Sequence, residues 1–219
     1  MIKGAIFDMD GTLLDSMNVW ATTGQEYLCR RGITPAHGKK DCLMFQGWDG
    51  IVAHFRDAYG IEEAPETVVA DILKLVKQNY DATATPLPDA IAFLETLKRN
   101  GVKITLATAT DRSVVEPTLR RLGMWDLFDG VFTCSELKTS KLSPLIYDTA
   151  RAFMGTPLEN TWVFEDALYA AKTAKAAGYA LCGICDRFEP HGEELKRIAD
   201  VYLDGYAEAA KLPFWEKLT

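Results

Sequence analysis

Five short apolar runs, separated by amphipathic segments, constrain the fold of this chain more than any other feature. They span residues 1–7, 103–108, 130–134, 161–166 and 179–185. The runs show no clean alternation of apolar and polar residues, which is typical of strands buried on both faces of a parallel sheet. Helical patterns separate the later runs, at 88–101, 112–124, 143–155 and 167–178. Strand and helix in repeated alternation predict an α/β fold, a doubly wound parallel sheet with right-handed crossovers.

Residues 15–85 do not follow this alternation. Three amphipathic helical patterns succeed one another there without a strand between them, at 16–32, 41–60 and 64–80. A helical segment of this length predicts a small domain inserted after the first strand. The chain would leave the core at 14–16 and return at 81–88, where small residues and proline are typical of a linker. We therefore expect residues 1–14 and 86–219 to form an α/β core, and residues 15–85 to form a helical domain.

The composition is that of an ordinary globular protein, with 48% hydrophobic and 25% charged residues. The net charge of −7 and the scattered basic residues argue against a nucleic-acid partner and against a membrane surface. No apolar stretch approaches the roughly 20 residues that a membrane span needs, and the acidic first ten residues do not resemble a signal peptide. The chain has five cysteines, an odd number without regular spacing. This argues against a disulfide framework and favours a protein of the reducing cytoplasm.

Two like charges, Asp8 and Asp10, stand directly after the first apolar run. Carboxylates this close repel each other and are costly to desolvate unless positive charge lies near them. Ligands of open parallel sheets bind at the carboxyl ends of the strands. The residues expected at the same edge, after the other runs, are Thr108, Lys141, Glu165 and Asp166.

These side chains together predict a site for a cation and a phosphate. Two facing groups of carboxylates make a set of hard oxygen ligands that suits Mg²⁺. The ion would offset the repulsion between the carboxylates and bring an anionic phosphate close to them. Lys141 could neutralise further charge, and the Thr108 hydroxyl could donate to a phosphoryl oxygen. Cleavage of phosphate esters depends mainly on such positioning and charge stabilisation.

Four short motifs carry a resemblance to a known family. They are "DMDGT" at 8–12, "ATAT" at 107–110, "KLSP" at 141–144 and "VFEDA" at 163–167. In this order they resemble the four motifs of the haloacid dehalogenase superfamily, and the resemblance covers essentially the whole chain. The insertion at 15–85 is similar to the α-helical cap of that superfamily. Within it, the chain resembles most the β-phosphoglucomutase-like phosphatases.

The resemblance implies chemical roles for residues of the first three motifs. Asp8 would attack phosphorus in line and become an aspartyl phosphate. Asp10 would protonate the leaving alcohol and then activate the water that hydrolyses the intermediate. Thr108 and Ala109, with Lys141 from the third motif, would hold the phosphoryl group.

The resemblance also implies how Mg²⁺ would be bound. Its ligands would be Asp8, Asp166 and the carbonyl of Asp10, with Glu165 binding either directly or through a water. The carboxyl group at position 10 argues against an actual dehalogenase, whose chemistry does not need that acid.

Several positions depart from the family pattern. Ala167 and Ala170 stand where a serine and a glycine are expected after the last motif. Trp20 stands where the sugar-phosphate mutases have a histidine in the cap, and residues 46–50 match their cap arginine motif poorly. These differences favour a phosphatase over a mutase. Trp20 and Lys77 are the candidate substrate contacts of the cap, because they lie next to its two ends.

The sequence thus predicts a Mg²⁺-dependent phosphatase acting on a small phosphorylated metabolite, with a sugar phosphate as the class implied by resemblance. The alternatives are a mutase, which would need a second phosphate clamp, and a binding or regulatory module without turnover. A monomer is the default for a chain of this size. The pair Cys182 and Cys185 has C-x-x-C spacing but no partner ligands for zinc, and we interpret both as buried strand cysteines.

Overall fold

The structure is a computed structural model that describes residues 1–44, 47–213 and 215. It divides into two compact units. The first comprises Met1–Asp15 and the chain from Thr85 onward, and the second comprises Ser16–Ala84. Residues 45 and 46, which belong to the predicted helix 41–60 and to the stretch compared with the mutase arginine motif, lie outside the described residues.

The first unit contains all eight strands found in the described part of the chain. They are β1 (Gly4–Phe7), β2 (Leu14–Asp15), β3 (Thr85–Pro86), β4 (Lys103–Thr108), β5 (Gly130–Thr133), β6 (Thr161–Glu165), β7 (Ala180–Ile184) and β8 (Val201–Leu203). The α-helices of both units, in chain order, are α1 (Met17–Arg30), α2 (Trp48–Tyr59), α3 (Pro65–Thr83), α4 (Ala90–Arg99), α5 (Arg112–Arg121), α6 (Leu145–Met154), α7 (Leu168–Ala176) and α8 (Gly192–Ile198). Among these helices, none combines the length and the hydropathy that a membrane span requires.

Six strands form one sheet in the order β5-β4-β1-β6-β7-β8, and every neighbouring pair is parallel. β1 lies between β4 and β6, so that Phe7 is opposite both Leu106 and Phe164. The predicted α/β fold with a doubly wound parallel sheet is confirmed. The sequence analysis did not predict β8 or the helix α8 that precedes it.

The apolar runs form central strands because both of their faces are covered. Ile6 of β1 belongs to a buried cluster with side chains of α6 and α7. The next residue, Phe7, points to the other face, since side chains alternate along a strand. There its ring stacks on that of Phe164 at 4.2 Å and meets the edge of Phe93 from α4. Burying each such side chain contributes about 1.5–3 kcal/mol, which holds β1 and β6 together beneath the edge where the acidic residues follow.

A two-residue antiparallel ladder connects the points where the chain leaves the first unit and returns to it. Leu14 of β2 pairs with Pro86 of β3, and Asp15 pairs with Thr85. The backbone N–H of Leu87 also donates to the carbonyl of Leu13 at 2.8 Å. The two ends of the inserted segment are therefore hydrogen-bonded side by side.

The second unit is helical. Asn79 of α3 donates hydrogen bonds to Thr23 at 3.0 Å and Glu26 at 2.7 Å, both in α1. The prediction of one continuous helix over 41–60 is wrong. A 3-10 turn ends at Asp41, and α2 begins only at Trp48. The backbone N–H of Leu43 donates to the carbonyl of Trp20 instead of to its own segment.

Asp41 is a buried carboxylate in the second unit. It accepts hydrogen bonds from the His54 ring at 2.7 Å, from the Tyr59 hydroxyl at 2.7 Å and from the backbone N–H of His37 at 2.9 Å. Burial alone would raise the pKa of Asp41. The three hydrogen bonds outweigh burial, so that this pKa lies below its ordinary value.

We expect Asp41→Asn to lower the free energy of unfolding by about 2 kcal/mol at pH 7, because the amide nitrogen cannot accept the hydrogen bonds that one of the two carboxylate oxygens accepts. The pKa of Asp41 is lowered on folding, so its contribution is present above the ordinary value of 3.8 and is lost as the pH falls through the lowered one. The difference between variant and wild type should therefore shrink in acid. Urea unfolding at pH 7 and pH 3 measures both effects.

The matched control is Asp57→Asn, which changes an exposed carboxylate on α2. It should stay within about 0.5 kcal/mol of wild type. Equal losses in the two variants would contradict the structural role assigned to Asp41.

Candidate active site

Three carboxylates meet at the carboxyl edge of the two central strands. Asp8 directly follows β1, Glu165 is the last residue of β6, and Asp166 follows it. One carboxylate oxygen from each lies within 4.8 Å of the others, and all three residues are buried. The adjacency of β1 and β6 in the sheet forces this meeting. The structure thus brings together the two acidic groups that the sequence placed at one edge.

Lys141 lies among these carboxylates with 3% of its surface exposed. Its ammonium group forms an ion pair with Asp8 and another, at 2.5 Å, with Oε1 of Glu165. The hydroxyl of Tyr147 donates to the same Glu165 oxygen at 3.2 Å. Burial lowers the pKa of Lys141, but the charges of Asp8 and Glu165 outweigh burial and raise it well above its ordinary value. The lysine is therefore charged at neutral pH.

One ammonium does not balance three carboxylates. Burial raises the pKa of Glu165 to about 7, although Lys141 opposes that shift. Burial, and then repulsion from Glu165 and Asp8, raise the pKa of Asp166 well above its ordinary value. Oxygen ligands with surplus negative charge are the donor set that a hard divalent cation prefers. The residues present therefore fit the Mg²⁺ that the sequence predicted.

Gly11 and Thr12, in the loop after β1, both support Asp166. The hydroxyl of Thr12 donates to Oδ1 of Asp166 at 2.7 Å, and the hydroxyl of Tyr206 donates to the carbonyl of Thr12 at 2.9 Å. Gly11 has φ = +78°, and a Cβ at this position would collide with Oδ2 of Asp166. Glycine is thus needed both for the backbone conformation and for the close approach of Asp166. The sequence analysis gave Thr12 no role of its own.

Asp10 is held from a different loop. The hydroxyl of Thr110, which follows β4, donates to Oδ2 of Asp10 at 2.6 Å. The backbone N–H of Thr110 donates to the hydroxyl oxygen of Thr108 at 3.1 Å. Asp10, Thr108 and Thr110 are all buried, whereas Ala109 is exposed. Thr110 is a site residue that the sequence analysis missed, although it lies within the quoted motif "ATAT".

The start of α7 carries a substitute for the serine that this chain lacks. Ala167 has no side-chain oxygen to cap the helix, and the cap comes from Glu189 in the loop after β7. Its Oε2 accepts a hydrogen bond from the backbone N–H of Leu168 at 3.0 Å. A carboxylate at a helix N-terminus stabilises the helix by about 0.5–2 kcal/mol. Glu189 thereby helps to fix the residue pair Glu165 and Asp166 that precedes the helix.

The two cap candidates lie in the second unit. The indole N–H of Trp20 donates to the hydroxyl of Tyr80 at 2.6 Å, and the two rings meet edge to face. Lys77 is exposed on α3. Substrate contact by either residue stays a prediction.

The burial of Cys182 and Cys185 agrees only in part with the interpretation drawn from the sequence. Cys182 is buried in β7 as expected, but Cys185 lies one residue beyond the strand and is exposed. The interpretation of both as buried strand cysteines is wrong for Cys185, because β7 ends at Ile184. All five cysteines of the chain are free.

Fold and site together define the class of this protein. The parallel sheet carries carboxylates, an ammonium group and hydroxyls at its carboxyl edge, and a helical segment is inserted after the first strand. This is the architecture of an α/β enzyme with an inserted helical unit. Within that class, this chain belongs to the haloacid dehalogenase-like hydrolase family, which it matches over residues 2–178. The resemblance drawn from the four motifs is confirmed, and so is the prediction of an enzyme of the hydrolase class.

The chain is also similar to individual proteins. Phosphoglycolate phosphatase of Neisseria meningitidis is 26% identical over 190 residues, which cover 84% of this chain and 80% of that protein. Hexitol phosphatase B of Escherichia coli is 26% identical over 187 residues, covering 80% of each. The crystal structure of β-phosphoglucomutase from Clostridium difficile shares the fold, with a TM-score of 0.79, 20% identity and coverage of 100% of this chain and 97% of that chain.

We expect Gly11→Ala to weaken Mg²⁺ binding by about 10-fold or more, because the new Cβ displaces Asp166 from its hydrogen bond with Thr12. The matched control is Gly101→Ala. Gly101 has nearly the same φ, +76°, but open space where its Cβ would lie. Both variants should lose about 1–2 kcal/mol of stability through the backbone conformation. Calorimetric titration with Mg²⁺ and urea unfolding in chelator separate the two effects, and equal Mg²⁺ affinities would contradict the assignment.

Proposed function

We propose that this protein is a Mg²⁺-dependent phosphatase that hydrolyses a small phosphomonoester through an aspartyl-phosphate intermediate. The observation that carries the proposal is the buried group formed by Asp8, Lys141, Glu165 and Asp166. Asp10 follows Asp8 by two residues in the chain. This group supplies a nucleophile, a fixed positive charge and oxygen ligands for a cation at one sheet edge.

Asp8 is the nucleophile of the proposed reaction. Its Oδ1 pairs with Lys141, and one oxygen of this carboxylate forms the bond to phosphorus. As that bond forms, the bond between phosphorus and the ester oxygen breaks, and the leaving oxygen takes a proton from Asp10. Thr110 keeps the Asp10 carboxyl group in place for this transfer. Water then attacks phosphorus, gives a proton to Asp10 and releases inorganic phosphate, which regenerates Asp8.

Thr108 and Lys141 hold the transferred phosphoryl group. The hydroxyl oxygen of Thr108 accepts a hydrogen bond from Thr110, so its own proton can be donated to a phosphoryl oxygen. Lys141 offsets the charge of the phosphoryl oxygens. Backbone atoms of Ala109 complete this contact.

Asp8, Asp166 and the carbonyl of Asp10 would hold the Mg²⁺. Both oxygens of Glu165 already accept hydrogen bonds, from Lys141 and Tyr147 on one side and from Ala167 on the other. This favours contact of Glu165 with the ion through a water. When bound, Mg²⁺ supplies charge neutralisation for the phosphate and the carboxylates.

A small phosphorylated metabolite, with sugar phosphates as the favoured class, is the proposed substrate. The names of the two phosphatase relatives refer to phosphoglycolate and to hexitols, which supports a short phosphorylated carbon chain. Residues 16–84 form the proposed cap, with Trp20 and Lys77 as its substrate contacts. The free state of all five cysteines supports a cytoplasmic enzyme.

We expect Asp8→Asn to reduce phosphate release by about 10³-fold or more, because the nucleophile is removed. The measurement is release of inorganic phosphate from a panel of sugar phosphates and nucleotides, with Mg²⁺ or with chelator. Asp126→Asn, which changes an exposed carboxylate in a 3-10 turn, serves as the control and should keep wild-type activity. Lack of release from every ester by the wild type would refute the phosphatase. Turnover that requires a bisphosphate activator would identify a mutase instead.

We expect Thr110→Val to lower kcat by about 10-fold with little change in KM, because loss of one hydrogen bond to Asp10 costs about 1.4 kcal/mol of positioning. The control is Thr149→Val, whose hydroxyl donates only within α6, to the carbonyl of Leu145. Steady-state kinetics on the best substrate of the panel measure both variants. A rise in KM alone would contradict the role assigned to Thr110.

A further inference from the structure

Asp186 is a carboxylate near the site that the mechanism does not use. It follows β7 by two residues, and β7 is the neighbour of β6 in the sheet. Its Oδ2 is buried and accepts no hydrogen bond from any residue that the structure describes. Buried carboxylate oxygens are normally paired, because an unpaired one loses its hydration without compensation.

Gly11 shows where this oxygen points. The Cβ position of Gly11 lies 3.0 Å from Oδ2 of Asp186 and even closer to Oδ2 of Asp166. The two carboxylate oxygens therefore both lie against Gly11, on the side where a side chain would be. Asp166 is one of the three carboxylates that fit a cation. Asp186 therefore lies beside Asp166, at the border of this group of three carboxylates, and approaches it from the next strand.

The two positive side chains near Asp186 form their ion pairs with other carboxylates. Lys141 pairs with Asp8 and Glu165. Arg187, the next residue in the chain, forms its ion pair with Asp15 at 3.3 Å and lies over the ring of Phe188. Two carboxylate oxygens that lie against one residue without a cation between them repel each other. A bound cation, or water held by one, would offset this repulsion.

We propose that Asp186 is a positioning residue of the metal site, which accepts hydrogen bonds from the hydration shell of the Mg²⁺ bound by Asp8 and Asp166. Mg²⁺ dehydrates reluctantly and keeps several waters in protein sites. Those waters need acceptors, and outer acceptors of this kind change metal affinity by about 10–100-fold. The inference rests on the proposed Mg²⁺ dependence and extends the metal site to a strand that the four family motifs do not include.

Calorimetric titration of the full chain with MgCl₂ tests the proposal. Asp186→Asn keeps the shape of the side chain and removes its charge, and Asp186→Glu keeps the charge but moves the oxygen. Both should bind Mg²⁺ at least about 10-fold more weakly than wild type. The matched control is Asp204→Asn, at an exposed carboxylate just after the neighbouring strand β8, which should stay within about twofold.

Thermal unfolding in chelator distinguishes this role from a structural one. Asp186→Asn should then melt no lower than wild type, because it removes the repulsion between Asp186 and the buried Asp166. A lower melting temperature with unchanged Mg²⁺ affinity would overturn the proposal, and so would wild-type affinity in Asp186→Glu, since charge alone would then suffice. Absence of Mg²⁺ binding by the wild type would overturn the proposed function together with this inference, whereas tight binding by both Asp186 variants overturns only the inference.

Discussion

The ion pairs of Lys141 with Asp8 and Glu165 are the interaction on which the rest of the site depends. Because β1 and β6 are parallel neighbours, the carboxylates at their ends are forced together, and burial makes their repulsion strong. Lys141 offsets that repulsion only in part, since Asp166 adds a third carboxylate. Removal of the lysine would leave two buried charges unpaired, which destabilises far more than a surface pair is worth. The surplus negative charge is thus a consequence of strand order.

Hydroxyl groups keep that surplus charge in place without reducing it. Thr12 donates to Asp166, Thr110 donates to Asp10, and Tyr147 donates to Glu165. A neutral donor orients a carboxylate and satisfies one of its lone pairs, yet leaves its full charge available for a cation. Additional lysines or arginines in the same positions would have neutralised the site that a cation and a phosphate require. Because only one donor is charged and the others are neutral hydroxyls, the site keeps the negative charge that attracts a cation.

The sheet could be predicted from the sequence because its central strands are short continuous apolar runs, the pattern typical of parallel strands buried on both faces. β8 could not, since Val201–Leu203 is too short for a periodic pattern. The carboxylates at the strand ends followed from the parallel topology alone. Their supports did not, because Glu189 and Asp186 reach the site from a loop whose sequence carries no motif, and only side-chain geometry places them. The helix predicted over 41–60 failed for a similar reason, since a tertiary hydrogen bond from Leu43 to Trp20 competes with helical pairing.

The short ladder between β2 and β3 turns residues 16–84 into the loop of a hairpin, topologically speaking. The entropic cost of closing a loop grows only logarithmically with its length. Once the ladder is formed, the sheet therefore has little dependence on how long the insertion is or how it folds. A longer, shorter or different segment at this position would leave the register of β1, β4 and β6 intact. The chain thus separates a chemical scaffold from an insertion whose length and fold the strand register does not constrain.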